Sequence, residues 1–237
     1  MRLQRMLLLT GVPLTAALCV APASGGTVTA KFNNLDLAQN VQVNIGSGNQ
    51  TFSAGRFDWT LVSSSGTLLG DYGGGNFKTF CVELTQFVAP GGTYTFNEIL
   101  PLANLFGGGT SGANIANLLG ELYADEFDNV DTAAEAASFQ VAVWEIVKDG
   151  GAGVANLNLG AGNFTLVSGA SLAASYLANL GGGPVEALVG LQNPSHQDQI
   201  VLAKAGAVIP LPGAFAAGLP LMLAGATAMR MRQRRWA

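Results

Sequence analysis

Histidine, cysteine and clustered positive charge are all scarce in this 237-residue chain. It holds one histidine, His196, and two cysteines, Cys19 and Cys81. No spacing of His, Cys and carboxylate reads as a metal centre, and neither a phosphate-binding glycine loop nor a serine triad is present. Charged residues make up 11% of the chain. Between Gly25 and Ala207, five basic residues (Lys31, Arg56, Lys78, Lys148 and Lys204) face all fifteen acidic ones, which leaves that stretch at −10. An acidic body without a basic patch argues against nucleic acid as a partner, because phosphate binding needs clustered Lys and Arg. A fixed-period repeat and a long linker are missing too, so a single domain accounts for the body of the chain.

What the chain has in quantity is apolar residues (49%) and glycine, 32 of them. That is enough to bury a sizeable core, and the many Ala, Asn, Ser and Thr residues suit an exported, turn-rich protein. The ends read as addresses. Residues 1–24 have the order of a secretory signal: Arg2 and Arg5, an apolar run from Met6 to Val20, then Ala21, Ala23, Ser24 and Gly25. Leu18 stands before Cys19 where a lipoprotein signal carries a small residue. If Cys19 leaves with the leader, Cys81 is a lone thiol in an oxidising compartment, and no internal disulfide can protect it.

Residues 208–237 contain Ile209-Pro210-Leu211-Pro212, an apolar segment from Gly213 to Met229, and the tail Arg230-Met231-Arg232-Gln233-Arg234-Arg235. The apolar segment is just long enough to span a bilayer as a transmembrane helix, with the arginines on the cytoplasmic side. This order resembles the PEP-CTERM class of sorting signals, in its Val-Pro-Leu-Pro variant, with Ile209 in place of Val. The resemblance implies an exosortase-type processing protease as a partner, transient anchorage in the inner membrane of a Gram-negative bacterium, and delivery to the cell surface or extracellular matrix. A simple tail anchor is the plainer alternative.

Residues 25–207 read as one α+β domain. Short polar/apolar runs at Val28–Phe32, Val41–Ile45, Thr51–Phe52 and Phe57–Val62 alternate as strands of an antiparallel sheet, a sandwich or barrel-like arrangement. Gly73-Gly74-Gly75 turns the chain into a strand through Cys81, and Thr93–Phe96 gives another. The period then changes. Ile115, Leu118, Leu119, Leu122 and Tyr123 mark a first helix, and Thr132–Lys148 a second. In the second, Thr132 and Glu135 form a capping box, and Gly150 supplies a left-handed stop. Its buried stripe is Ala136, Phe139, Val143, Ile146 and Val147, with Gln140 and Trp144 one turn apart on the neighbouring face. A third helix runs from Ser171 to Leu180. Strands at Asn163–Val167 and 199–204 complete a helical insertion between strands.

Two short motifs carry chemistry. In Phe80-Cys81-Val82-Glu83, the residues Phe77, Thr79, Cys81 and Glu83 share one strand face. The helix carries Phe139-Gln140-Val141-Ala142-Val143-Trp144. Together they resemble the thioester domains of bacterial surface adhesins, in which a Cys-Val strand pairs with a helical Gln-x-Ala-aliphatic-Trp motif. Phe139 stands where that family has Thr. The resemblance spans about residues 76–180 and implies a bond between the Cys81 sulfur and the Gln140 side chain, with no cofactor. Phe80, Phe139 and Trp144 would shield it, and Glu83 and Glu145 are candidate proton acceptors by proximity in sequence. The implied partner is an unidentified surface or matrix nucleophile, an amine or a hydroxyl, and the implied role is covalent adhesion rather than enzymatic turnover.

The alternatives are a non-covalent matrix protein of a biofilm, with an ordinary buried thiol, and a Cys81/His196 hydrolase. The acidic run Asp125–Asp131 reads as a solvated loop between helices in preference to a calcium site, because it lacks the glycine and spacing of an EF-hand.

Overall fold

A computed structural model of the protein describes residues 25–65 and 75–203. The leader, the Gly73-Gly74 turn, and the sorting segment with its Pro motif and apolar span lie outside the described residues. Among the described residues no helix is long and apolar enough to cross a membrane.

The elements in chain order are β1 (Thr27–Asn44), β2 (Asn49–Ser64), β3 (Asn76–Cys81), β4 (Thr93–Ile99), α1 (Gly109–Glu126), α2 (Ala133–Asp149), β5 (Thr165–Ser168), α3 (Ala173–Ala178), β6 (Leu188–Gln192) and β7 (Gln199–Leu202). All strand pairings are antiparallel. The order β2-β3-β7-β6-β4-β1 closes on itself, because β1 also pairs with β2, and β5 adds to the far end of β1. The sheet is therefore a six-stranded barrel, which leaves few open edges.

The four short runs at the start are two long strands. β1 and β2 form one hairpin whose register slips at Thr29/Ala30, Phe32/Asn34 and Leu35/Leu37. Each slip resets the two-residue alternation and bends the strand, so one strand reads in sequence as several. The hairpin turns through Gly46 and Gly48, both at positive φ (92° and 96°), and the Gly46 N–H donates to Asn44 Oδ1 at 2.8 Å. β6 has no counterpart among the expected strands. Its residues Leu188 to Leu191 are all buried, so alternation is lost. Gly190 lies in its middle because an added Cβ would fall 3.0 Å from Leu105 Cδ2 and 3.3 Å from Ile99 Cβ.

α2 is the centre of the molecule. Its capping box forms as the sequence indicates: Glu135 N–H donates to Thr132 Oγ1 (3.3 Å), and Thr132 N–H to Glu135 Oε2 (2.8 Å). Burial runs unbroken from Ala136 to Ile146, more than a single stripe. The helix lies between two cores. Ala137, Val141 and Trp144 face the barrel, with Trp59, Phe77 and Phe96. Phe139, Val143 and Ile146 face α1 and α3, with Leu119, Leu122 and Tyr176. Gly150 is right-handed (φ −72°) and continues into a short 3-10 turn, so it is not a left-handed stop. It is small because a Cβ there would press on Leu118 Cδ1 (3.2 Å) and Ile146 Cγ2 (3.3 Å). Arg56 ties the hairpin to the turn before α2, donating to Val130 C=O at 3.0 Å while pairing with Asp36.

A buried polar relay fixes β3 against its neighbours. Trp59 Nε1–H donates to Thr79 Oγ1 (2.9 Å), and Thr79 Oγ1–H donates to Gln199 Oε1 (2.7 Å). Thr79 and Gln199 are fully buried. Replacing Thr79→Val keeps shape but orphans one donor and one acceptor, each costing about 1–3 kcal/mol. Urea unfolding is expected to show a loss of about 2–4 kcal/mol with an unchanged m-value.

Candidate functional site

β3 ends at Cys81, and its pairing with β2 stops two residues earlier, at Phe57–Thr79. In an antiparallel ladder the N–H and C=O of one residue point to the same neighbour. β7 meets Cys81 on one side, opposite Gln199. The main-chain groups on the other side need a partner, and α2 supplies it. Cys81 N–H donates to Gln140 Oε1 at 3.0 Å, and Gln140 Nε2–H donates to Cys81 C=O at 2.7 Å. The carboxamide thus takes the place of a strand partner across 59 residues of sequence. Gln140 is 0% exposed and Cys81 1%. The amide thus meets the main chain of Cys81, and both residues are buried.

Cys81 lines a cavity of about 310 Å³. Phe32, Leu35, Phe52, Phe57, Leu84 and Phe87 line it with Trp144; Ser53 and Gln197 are its polar members. Phe87 is 62% exposed and stacks on Phe52 at 6.5 Å. These residues were not legible as a site in the sequence, since they come from separate strands and from the irregular stretch after β3. Gln197 donates from Nε2 to Glu83 C=O (3.0 Å) and braces the segment that follows Cys81.

Burial pushes the Cys81 thiol up to about 12. The indole of Trp144 works against that shift by favouring the thiolate, and the Glu83 charge adds to it. The free thiol therefore stays protonated across the physiological range, and ionising it needs a proton acceptor at hand. Glu83 is half-buried beside it. Its Oε1 accepts from Asp198 N–H (3.4 Å), and burial followed by the Asp198 charge raises its carboxyl above the ordinary range. That makes it a better base than a solvated carboxylate.

Glu145 is placed elsewhere. It is fully buried, its Oε1 accepts from Asn158 N–H at 2.6 Å, and its Oε2 has no partner. It does not line the Cys81 cavity. It holds the loop after α2, where Asp149 also accepts from the N–H groups of Asn163 and Phe164 at 3.0 Å. Phe80 and Phe139 meet at a tilt, 4.4 Å apart, on the helical side, because alternate strand residues face opposite ways. Of the three expected shields, only Trp144 borders the Cys81 cavity. His196 packs on Tyr94 at 4.6 Å, hydrogen-bonds Asn193, and does not line the cavity. Asp125 to Asp131 run from the end of α1 through a short 3-10 turn, and no three His, Cys or acidic residues among those described could together hold a metal.

Burial, followed by the nearby Asp149 charge, raises the Glu145 carboxyl to about 7 while Asn158 opposes it. A carboxyl with a folded pKa above its unfolded one contributes stability that is full below about pH 4.5 and is lost as pH rises through 7. Glu145→Gln keeps the Asn158 contact and removes the charge. The variant is expected to match the parent's pH dependence only below pH 4.5, and to gain on the order of 1–3 kcal/mol over it above pH 7. Chemical denaturation at pH 4 and pH 8 measures the difference. No protein-family model, curated protein or solved structure matches the chain.

Proposed function

We propose that this is an exported surface protein whose domain stores a Cys81–Gln140 thioester and uses it for covalent adhesion to an amine or hydroxyl on a surface or matrix partner. The observation that carries the reading is the reciprocal pair of hydrogen bonds between the Gln140 carboxamide and the main chain of Cys81. They hold the two reacting residues together before any bond forms, which is the positional requirement of an intramolecular acyl transfer. Burial of both keeps water from the product. In the forming step the sulfur attacks Gln140 Cδ, and the thiol proton passes through Glu83 to the departing nitrogen. The C–N bond breaks and ammonia leaves, a loss of about 17 Da. In the adhesive step an amine attacks the same carbon and the C–S bond breaks. The proton lost by the amine returns to the sulfur, leaving an amide on residue 140 and a free Cys81 thiol. The leader, Pro motif, apolar span and arginine tail support export and exosortase-type sorting from the sequence.

A second reading keeps the same export route without the chemistry, as a structural matrix protein. The same two hydrogen bonds favour it, because they give both polar atoms of the buried amide a partner. Intact mass separates the two. The full chain is expected to be lighter than its composition by one ammonia, and Cys81→Ala and Gln140→Ala chains to have full mass. Methylamine is expected to add to residue 140 and release one thiol. A parent of full composition mass, whose thiol titrates on unfolding, would leave the structural protein standing.

A further inference from the structure

The best-placed polar group that this mechanism leaves unused is the indole N–H of Trp144. It lies one helical turn after Gln140 and lines the same cavity as Cys81. Trp144 is 2% exposed, and Nε1–H completes no hydrogen bond. A buried donor left without a partner costs about 1–3 kcal/mol, so a group kept in that state calls for a reason. The ring packs between Phe52 (6.0 Å, edge-on) and Phe164 (6.3 Å). Trp144 and Cys81 line one cavity, and the nearby indole favours the thiolate against the effect of burial, although no hydrogen bond between the two is completed.

Resting on the thioester reading, we infer that the Trp144 N–H is a catalytic donor to the Cys81 sulfur, stabilising the thiolate when an incoming amine displaces it from Gln140 Cδ. In the thioester the sulfur carries little charge and is a weak acceptor. As the C–S bond breaks, the electron pair moves onto sulfur and the contact strengthens. An N–H aimed at charge that exists only in the transition state lowers the barrier without stabilising the ground state. The site needs such a donor because burial otherwise opposes the thiolate and the Glu83 charge repels it. The electron pair ends on sulfur, and the amine's proton neutralises it. Run in reverse, the same donor assists the sulfur's attack when the bond first forms.

This role and simple shielding predict opposite signs. If the ring only excludes water, removing the N–H leaves the rates alone or raises hydrolysis. If the N–H assists the leaving sulfur, its removal slows aminolysis and hydrolysis together. The test uses the full-length chain in mild detergent, comparing the parent with Trp144→Phe. A second chain carries benzothienylalanine at 144, which keeps the bicyclic ring and lacks the N–H. Thioester content is read by mass, and its loss is timed with methylamine and with water. The expected result is a parent short by one ammonia and variants that stay folded at the assay temperature and react about tenfold or more slowly with both nucleophiles. Variants that fold but never lose ammonia count the same way, provided both replacements agree. Parental or faster rates in the benzothienylalanine chain overturn the inference and leave the thioester reading intact. A parent of full mass overturns both.

Discussion

Two hydrogen bonds, one each way between the Gln140 carboxamide and the Cys81 main chain, join the barrel to the helix at its centre. β3 would otherwise end with a buried N–H and C=O unpaired, at a cost no marginally stable domain carries lightly. α2 would otherwise bury an amide with nothing to bond. Each solves the other's problem, and the fit sets where the helix sits on the sheet. The capping box at Thr132, the Arg56 bond to Val130 and the tight packing at Gly150 hold the helix ends so that this one contact is met. The Thr79 relay to Trp59 and Gln199 holds the strand two residues upstream.

The electrostatics of the site follow from the same burial. Burial that pushes the thiol up to about 12 keeps it protonated and poorly reactive, which would suit the lone mature cysteine of the proposed exported protein. Inertness is also the difficulty, since the proposed chemistry must pass through a thiolate twice. In the proposed chemistry two groups near the thiol would share the work of making and holding that thiolate. Glu83, raised by its own burial and by Asp198, can take the proton, and the Trp144 N–H can face the charge. The cavity that Cys81 and Trp144 line is mostly apolar and includes the exposed Phe87.

Much of this was legible in the sequence because it depends on local signals. The Thr132–Glu135 box and the helical periods of α1 and α2 are short-range features. The pairing of Cys81 with Gln140 was available from two motifs and a resemblance. What was not legible depends on tertiary context. Bulges broke β1 and β2 into apparent fragments, and full burial erased the alternation of β6. Gly150 reads as a stop because sequence cannot distinguish a glycine chosen for its φ from one chosen for its size. Glu145 groups with the site by adjacency, yet its position on the helix sends it to the loop at Asn158. Phe80 and Phe139 flank Cys81 and Gln140 in sequence but face the helical core.

The most direct test of the thioester is a crystal structure of the purified, untreated protein. The expected result is continuous density joining Cys81 Sγ to Gln140 Cδ at covalent distance, with Nε2 gone and the Trp144 N–H turned to the sulfur. A separate thiol beside an intact carboxamide, still clasping the Cys81 main chain through both hydrogen bonds, would contradict the covalent reading and identify the contact as a structural clamp.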